Sequence, residues 1–150
     1  MSGNGVCLAA VLALVIVTNA EAQYVERSPP PQTIAYTAAR FKAIYSQTGM
    51  IGLASAIQDC YDTNLRDNRE LLNCMLLDVA SIKFDNGIRQ QFIARGMTGA
   101  VTAPLSYFSD SAISARLNIY TGILFNGNTN AAISYLSSAA DKVIEQATPR

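Results

Sequence analysis

Apolar residues recur every three to four positions along most of the chain after residue 32, which is the period of an amphipathic helix. Over 33–47 this period predicts a first helix, whose apolar stripe consists of Ile34, Ala38, Phe41 and Tyr45. Gly49 or Gly52 is expected to end or interrupt that helix. The same period continues over 50–64 and predicts a second amphipathic helix.

A capping pattern marks the start of the next helix. Asp67, followed three positions later by Glu70, has the spacing of a capping box, so a third helix is predicted over about 68–84. The Asp-Asn-Gly sequence at 85–87 has turn chemistry and is expected to end that helix. A short helix is predicted to follow over 88–95.

The rest of the chain predicts one loop and two more helices. Two glycines and a proline interrupt 96–108, which is therefore predicted as a loop. Capping residues followed by helical periodicity predict helices over 109–125 and from about residue 128 to a point before Pro149. Because no alternating strand pattern appears, the sequence predicts a single-domain all-α bundle of five or six helices over 33–150.

Residues 1–22 are predicted to be a cleavable signal peptide. The apolar run 6–17 is shorter than the roughly 20 residues that a membrane span requires, and the Ala-Glu-Ala sequence at 20–22 offers signal peptidase its small side chains. We expect cleavage before Gln23 and export to the periplasm or the exterior. Residues 23–32 include three consecutive prolines and are predicted to be an extended lead-in.

Two cysteines, Cys60 and Cys74, remain after the signal segment and its Cys7 are removed. An even pair in an exported protein favours a disulfide, and the alternative is two buried thiols. The two cysteines are equally distant from Asp67, at the centre of a polar turn between two predicted helices. In a helical hairpin they would face each other, so a disulfide that pins the hairpin is predicted.

Composition excludes several function classes. The chain has no histidine, and the expected disulfide would leave no free thiol, so Ser-His-Asp, Cys-His and common metal-ligand sets are absent. No cofactor or metal is therefore predicted. The formal net charge is zero and no basic cluster is present, which excludes nucleic acid as an expected partner. No apolar stretch after residue 22 is long enough to span a bilayer, so we expect no membrane anchor after cleavage.

Asp78 is the polar residue that the helical pattern explains least. On the predicted third helix it shares a stripe with Leu71, Cys74, Met75 and Ile82, and a carboxylate there must be paired, hydrogen-bonded or protonated. One interpretation is structural, with Asp78 capping a helix or pairing with an arginine or a tyrosine hydroxyl. The other is functional, with Asp78 as a buried acid that lines a pocket or partner site. A catalytic pair formed by Asp78 with Asp59 or Asp62 is the remaining enzymatic alternative.

Tyr107 and Phe108 are adjacent aromatic residues in the predicted loop, where both side chains cannot easily point inward. They are therefore the candidate partner-contact residues. Our leading hypothesis is an exported, non-enzymatic protein that binds a protein partner, in the manner of a periplasmic inhibitor, immunity or accessory protein. The alternative is a carrier that holds a small apolar ligand inside the bundle, oriented by Asp78 or a tyrosine hydroxyl.

Overall fold

The computed structural model describes residues 28–148. The predicted signal peptide, Cys7 and the first part of the predicted lead-in lie outside the described residues. The described chain contains four α-helices and no strand: α1 (Pro31–Asn64), α2 (Asn68–Ala94), α3 (Asp110–Phe125) and α4 (Thr129–Ala147). The all-α prediction is confirmed, whereas the predicted number of five or six helices is wrong.

The helix α1 is interrupted at Gly49, as the glycine pattern predicted. Gly49 has φ 63° and ψ −154°, a backbone conformation that is essentially restricted to glycine. The Arg40 Nη1 atom lies 3.0 Å from the Cys60 Sγ atom, although twenty residues of straight helix would rise about 30 Å. The N-terminal segment (31–48) and the C-terminal segment (50–64) of α1 therefore fold back against each other.

A second glycine makes the reversal in α1 compact. A Cβ atom at Gly52 would lie 1.6 Å from the Oγ1 atom and 2.4 Å from the Cβ atom of Thr48. Both distances are far below contact range, so the chain can approach itself this closely only with glycine at position 52.

The start of α2 agrees with the prediction and its end does not. The Asp67 carboxylate accepts hydrogen bonds from the backbone N–H groups of Arg69 and Glu70, at 3.0 and 3.1 Å, and so caps the helix. The turn predicted at 85–87 is wrong, because α2 continues through it to Ala94. Asp85 is used along the helix instead: its carboxylate accepts a hydrogen bond from Arg89 Nε at 2.8 Å, one turn further on.

The connection between α3 and α4 matches the predicted turn. Asn126 adopts a left-handed conformation with φ 50° and ends α3. The Asn128 side chain accepts a hydrogen bond from the backbone N–H of Ala131 at 3.0 Å and caps α4. Because so short a connection joins them, α3 and α4 lie side by side in opposite directions.

The core lies among α1, α2 and α4. Both segments of α1 contribute to it, α2 contributes the longest buried run, and α4 contributes mainly small residues, among them Ala132, Ala139, Ala140 and Ala147. The helix α3 contributes only Tyr120 and Thr121 as buried residues. It is thus the most peripheral of the four helices. The contacts that attach it to the bundle are part of the candidate site.

Candidate functional site

The predicted disulfide between Cys60 and Cys74 is present. It joins the C-terminal segment of α1 to α2 across a Cα–Cα distance of 5.7 Å. The side-chain amide of Asn64 donates a hydrogen bond to the carbonyl oxygen of Cys60 at 2.8 Å and so stabilises the end of α1 next to the disulfide. The disulfide therefore fixes the hairpin from which Tyr61 and Asp78 reach each other.

Asp78 is fully buried, as predicted, and its partner is Arg116 on α3. Arg116 Nε lies 2.7 Å from Asp78 Oδ2, and Arg116 Nη2 lies 2.7 Å from Asp78 Oδ1. The two parallel hydrogen bonds form the bidentate arrangement that gives an arginine–carboxylate pair its strength and direction. The Arg116 side chain is only 11% exposed, so the pair is held away from solvent.

A tyrosine completes the surroundings of the Asp78 carboxylate. The Tyr61 hydroxyl donates a hydrogen bond to Asp78 Oδ2 at 3.1 Å. Burial raises the pKa of Asp78 above its ordinary value, while the hydrogen bonds and charge of Arg116 and the hydroxyl of Tyr61 act in the opposite direction. The arrangement matches the structural interpretation of Asp78, in which an arginine and a tyrosine hydroxyl satisfy a buried acid.

Arg116 was missed by the sequence reasoning, although a signal for it exists. It is the only charged residue of α3 after Asp110. On the helical period it shares a stripe with Ile113 and Tyr120, both apolar or aromatic. A lone cation on one apolar stripe and a lone acid on another are natural partners, since neither can be buried without a counter-charge.

The two candidate partner-contact residues differ in how far they are exposed. Phe108 is 1% exposed and belongs to the core, so the prediction that it is an exposed contact is wrong. Its ring packs edge-on against the half-buried ring of Tyr107, with the centroids 5.3 Å apart. A one-turn 3₁₀ helix (Ser106–Phe108) aims one ring inward and leaves the other at the edge, which sequence alone did not indicate. A partner contact by Tyr107 stays a prediction.

Arg116 also covers Tyr107. Its guanidinium carbon lies 3.9 Å from the centroid of the Tyr107 ring, and its Nη1 donates a hydrogen bond to the Tyr107 carbonyl oxygen at 2.5 Å. The Tyr107 hydroxyl is buried without a hydrogen-bond partner within 28–148. Arg116 therefore ties the loop before α3, α3 itself and α2 together at one point.

Tyr61 also contacts α3 directly, through Tyr120. Its ring stacks on the ring of Tyr120, with a centroid distance of 3.7 Å and an interplanar angle of 7°. Burial raises the pKa of Tyr61 well above the ordinary tyrosine value, and the neighbouring Asp78 carboxylate raises it further. Burial and the same carboxylate also raise the pKa of Tyr107. Both hydroxyls therefore stay protonated over the physiological range, and that of Tyr61 keeps its hydrogen bond to Asp78.

A cavity of about 370 Å³ lies between α2, α3 and α4. Most of its lining is aliphatic and comes from all three helices, and it includes Met75, Val79, Ile82, Ile113, Leu117, Ala132, Ile133 and Leu136. Ile133 is 60% exposed, so the cavity opens to solvent along α4. Its volume falls in the range of about 300–1,000 Å³ that is typical of small-molecule sites.

Asp78 does not line this cavity, although Met75 and Val79, its neighbours on α2, do. Hydroxyl and amide groups reach the cavity from α3, on Ser114, Asn118 and Thr121. Among the described residues, Lys83 is the only charged one in the lining. Its Nζ atom lies 2.5 Å from Asp141 Oδ1 and donates hydrogen bonds to the carbonyl and hydroxyl oxygens of Ser137, both at 3.1 Å.

Other groups that sequence reasoning weighed do not form a site within 28–148. Asp59 and Asp62 are exposed, and Asp62 accepts hydrogen bonds from Gln58 rather than facing Asp78. In this part of the chain no three side chains of the metal-binding types come together. None of the helices described has both the length and the apolar character of a membrane span.

Comparisons with protein-family models, curated proteins and solved structures find no match for this chain.

Proposed function

We propose that this protein is a non-enzymatic carrier that binds a small, largely apolar molecule in the cavity between α2, α3 and α4. The observation that carries the proposal is the cavity itself, about 370 Å³ in volume and lined mainly by aliphatic side chains from three helices. Such a space favours an apolar ligand because each buried methylene group contributes about 0.8 kcal/mol. A few hydroxyl and amide groups on α3 offer the polar contacts that orient a ligand.

The choice of a carrier over a partner-binding protein rests on where the aromatic residues lie. The partner hypothesis depended on an exposed surface at Tyr107 and Phe108, and Phe108 is in the core. Arg116 covers the Tyr107 ring. The carrier hypothesis loses Asp78 as its orienting group, since Arg116 and Tyr61 already occupy both carboxylate oxygens. The cavity itself still supports the carrier hypothesis.

A fluorescent probe tests the proposal. N-phenyl-1-naphthylamine is uncharged and fluoresces weakly in water, so its emission should rise on binding to the mature protein. The Leu117→Trp variant places an indole ring in the cavity and should reduce this binding at least about tenfold. Ile123→Trp, on the exposed face of the same helix, is the matched control and should bind like the wild type.

The unfolding of both tryptophan variants is measured alongside, so that loss of the fold is not mistaken for loss of binding. If the probe does not bind the folded wild type, or if both variants bind it equally, the carrier proposal is wrong.

Export is the second part of the proposal. The disulfide favours an oxidising compartment, and the apolar run 6–17 followed by Ala-Glu-Ala supports a signal peptide. The mature protein should begin at Gln23. N-terminal sequencing of the protein recovered from periplasm or culture medium tests this, and a chain that starts at Met1 would contradict it.

A protein partner is the second candidate function, and the exposed face of α3 supports it. Ile119 and Ile123 lie one turn apart on that face and are 59% and 43% exposed. A pull-down with the mature protein should lose the partner when both residues are changed to serine, while Leu117→Trp keeps it. The reverse pattern would assign the partner to the cavity instead.

A further inference from the structure

We infer that the ligand of the cavity is an amphipathic monocarboxylate, whose carboxylate binds Lys83 in place of Asp141 while its apolar body fills the space between α2, α3 and α4. This inference rests on the proposed function and adds the chemical class of the ligand.

Lys83 lies where it could bind the head group of a ligand in the cavity. Within 28–148 it is the only charged residue that lines the cavity, and its side chain is 33% exposed, so the ammonium group lies where the apolar space meets solvent. Ser137 holds it there through two hydrogen bonds from Nζ, to the carbonyl and hydroxyl oxygens. An amphipathic molecule with its body in the cavity would place its head group at this boundary.

Asp141, the present counter-ion of Lys83, can be exchanged for the carboxylate of a ligand. A lysine ammonium has three donors, and here Nζ donates two hydrogen bonds to Ser137 and forms an ion pair with the Asp141 carboxylate. A new carboxylate must therefore replace Asp141 rather than add to it. The Asp141 side chain is 62% exposed and does not line the cavity. Its release into water costs little, because an exposed ion pair is worth at most about 1 kcal/mol.

The charge of Lys83 also selects among the head groups of possible ligands. A cationic head would meet the ammonium group of Lys83 and be repelled. A hydroxyl head has no charge with which to replace Asp141, so it gains only what the cavity and the α3 side chains offer. A carboxylate keeps the ion pair and moves it closer to the apolar space, where the attraction is stronger. The charge of the site therefore favours an anion.

The experiment compares three probes with the same twelve-carbon chain. Dodecanoate, dodecanol and dodecylamine are each used to displace N-phenyl-1-naphthylamine from the mature protein, at about pH 8, where the acid is ionised and the amine is charged. Dodecanoate should compete at least about tenfold more tightly than dodecanol, since its carboxylate can replace Asp141 as the counter-ion of Lys83 and the neutral hydroxyl of dodecanol has no charge with which to do so. Dodecylamine should compete most weakly.

Three variants locate the effect. Lys83→Met keeps the length and the apolar part of the side chain, and it should remove the preference for dodecanoate while leaving dodecanol unchanged. Asp141→Asn removes the competing carboxylate and should tighten dodecanoate binding about two- to fivefold. Lys142 lies next to Asp141 on α4, is exposed and does not line the cavity. Lys142→Met makes the same change of charge as Lys83→Met and should preserve the preference.

The possible results separate the two claims. Equal competition by dodecanoate and dodecanol in the wild type, or a preference that survives Lys83→Met, would overturn the carboxylate inference and leave the carrier function standing. Failure of the naphthylamine probe to bind the folded wild type would overturn both. A preference lost in Lys83→Met and kept in Lys142→Met supports the assignment.

Discussion

Arg116 of α3 donates two hydrogen bonds of 2.7 Å to Asp78 of α2, although the two residues are 38 positions apart in the chain. Because α3 contributes few buried residues, this ion pair is a main attachment of α3 to the bundle. The pair also helps to shape the cavity, because it holds α3, which forms one of the three walls of the cavity.

Removing one member of this pair should be strongly destabilising. In Arg116→Met, the Asp78 carboxylate stays buried without its counter-ion, and we expect the free energy of unfolding to fall by about 3–5 kcal/mol. The double variant Asp78→Leu, Arg116→Met removes both charges and should be clearly more stable than Arg116→Met alone. Urea unfolding is measured for the wild type, for Asp78→Leu and Arg116→Met as single variants, and for the double variant. A double variant whose loss equals the sum of the two single losses would show that the residues are not coupled.

Local features were the most predictable part of the fold. The cap formed by Asp67 and the turn from Asn126 to Asn128 depend on neighbours in the chain, and both are confirmed. The turn predicted at 85–87 failed for a related reason. Its Asp-Asn-Gly sequence is compatible with a turn and with a helix, and in the helix that forms, Asp85 pairs with Arg89 one turn further on.

The candidate site was less predictable because it depends on residues far apart in the chain. The sequence showed that Asp78 needed a partner but not which one, since Arg116 lies on another helix beyond a loop. The sequence could not indicate whether Tyr107 or Phe108 turns inward, because one turn of 3₁₀ helix decides it. A cavity depends on how closely α3 approaches its neighbours, and hydrophobic periodicity carries no information about that distance.

The reversal in α1 should depend on the glycine at position 49. Its φ of 63° and ψ of −154° lie in a region that residues with a Cβ avoid, so Gly49→Ala should lower the free energy of unfolding by roughly 1–3 kcal/mol. Gly87→Ala is the matched control, since Gly87 lies inside α2 and a Cβ there would meet nothing within 4 Å. That variant should gain about 0.5–1 kcal/mol from helix propensity. Urea unfolding distinguishes them, and equal effects would contradict the assigned backbone.

Two buried hydroxyl groups have no hydrogen-bond partner within 28–148, and their removal should not weaken the fold. They belong to Thr37 and Tyr107. Thr37→Val keeps the shape of the side chain without the desolvated hydroxyl, so we expect a gain of about 1 kcal/mol in the free energy of unfolding. Thr63→Val is the control, since that hydroxyl is exposed and already donates to the Asp59 carbonyl oxygen, and its effect should stay within about 0.5 kcal/mol of zero. A loss on Thr37→Val would mean that its hydroxyl is satisfied.

Alkaline conditions should destabilise the protein through the tyrosines around Asp78. Burial, followed by the charge of Asp78, raises the pKa of both Tyr61 and Tyr107, whereas unfolding returns each to about 10. Above that pH the unfolded chain releases protons that the folded protein keeps, so the free energy of unfolding falls as the pH rises. The contribution is fully present below about pH 10 and is lost above it. Urea unfolding from about pH 8 to 11.5 should show this decline, and Tyr107→Phe, which removes one of the groups, should make it shallower. A decline of the same slope in Tyr107→Phe would exclude Tyr107 as a source of the effect.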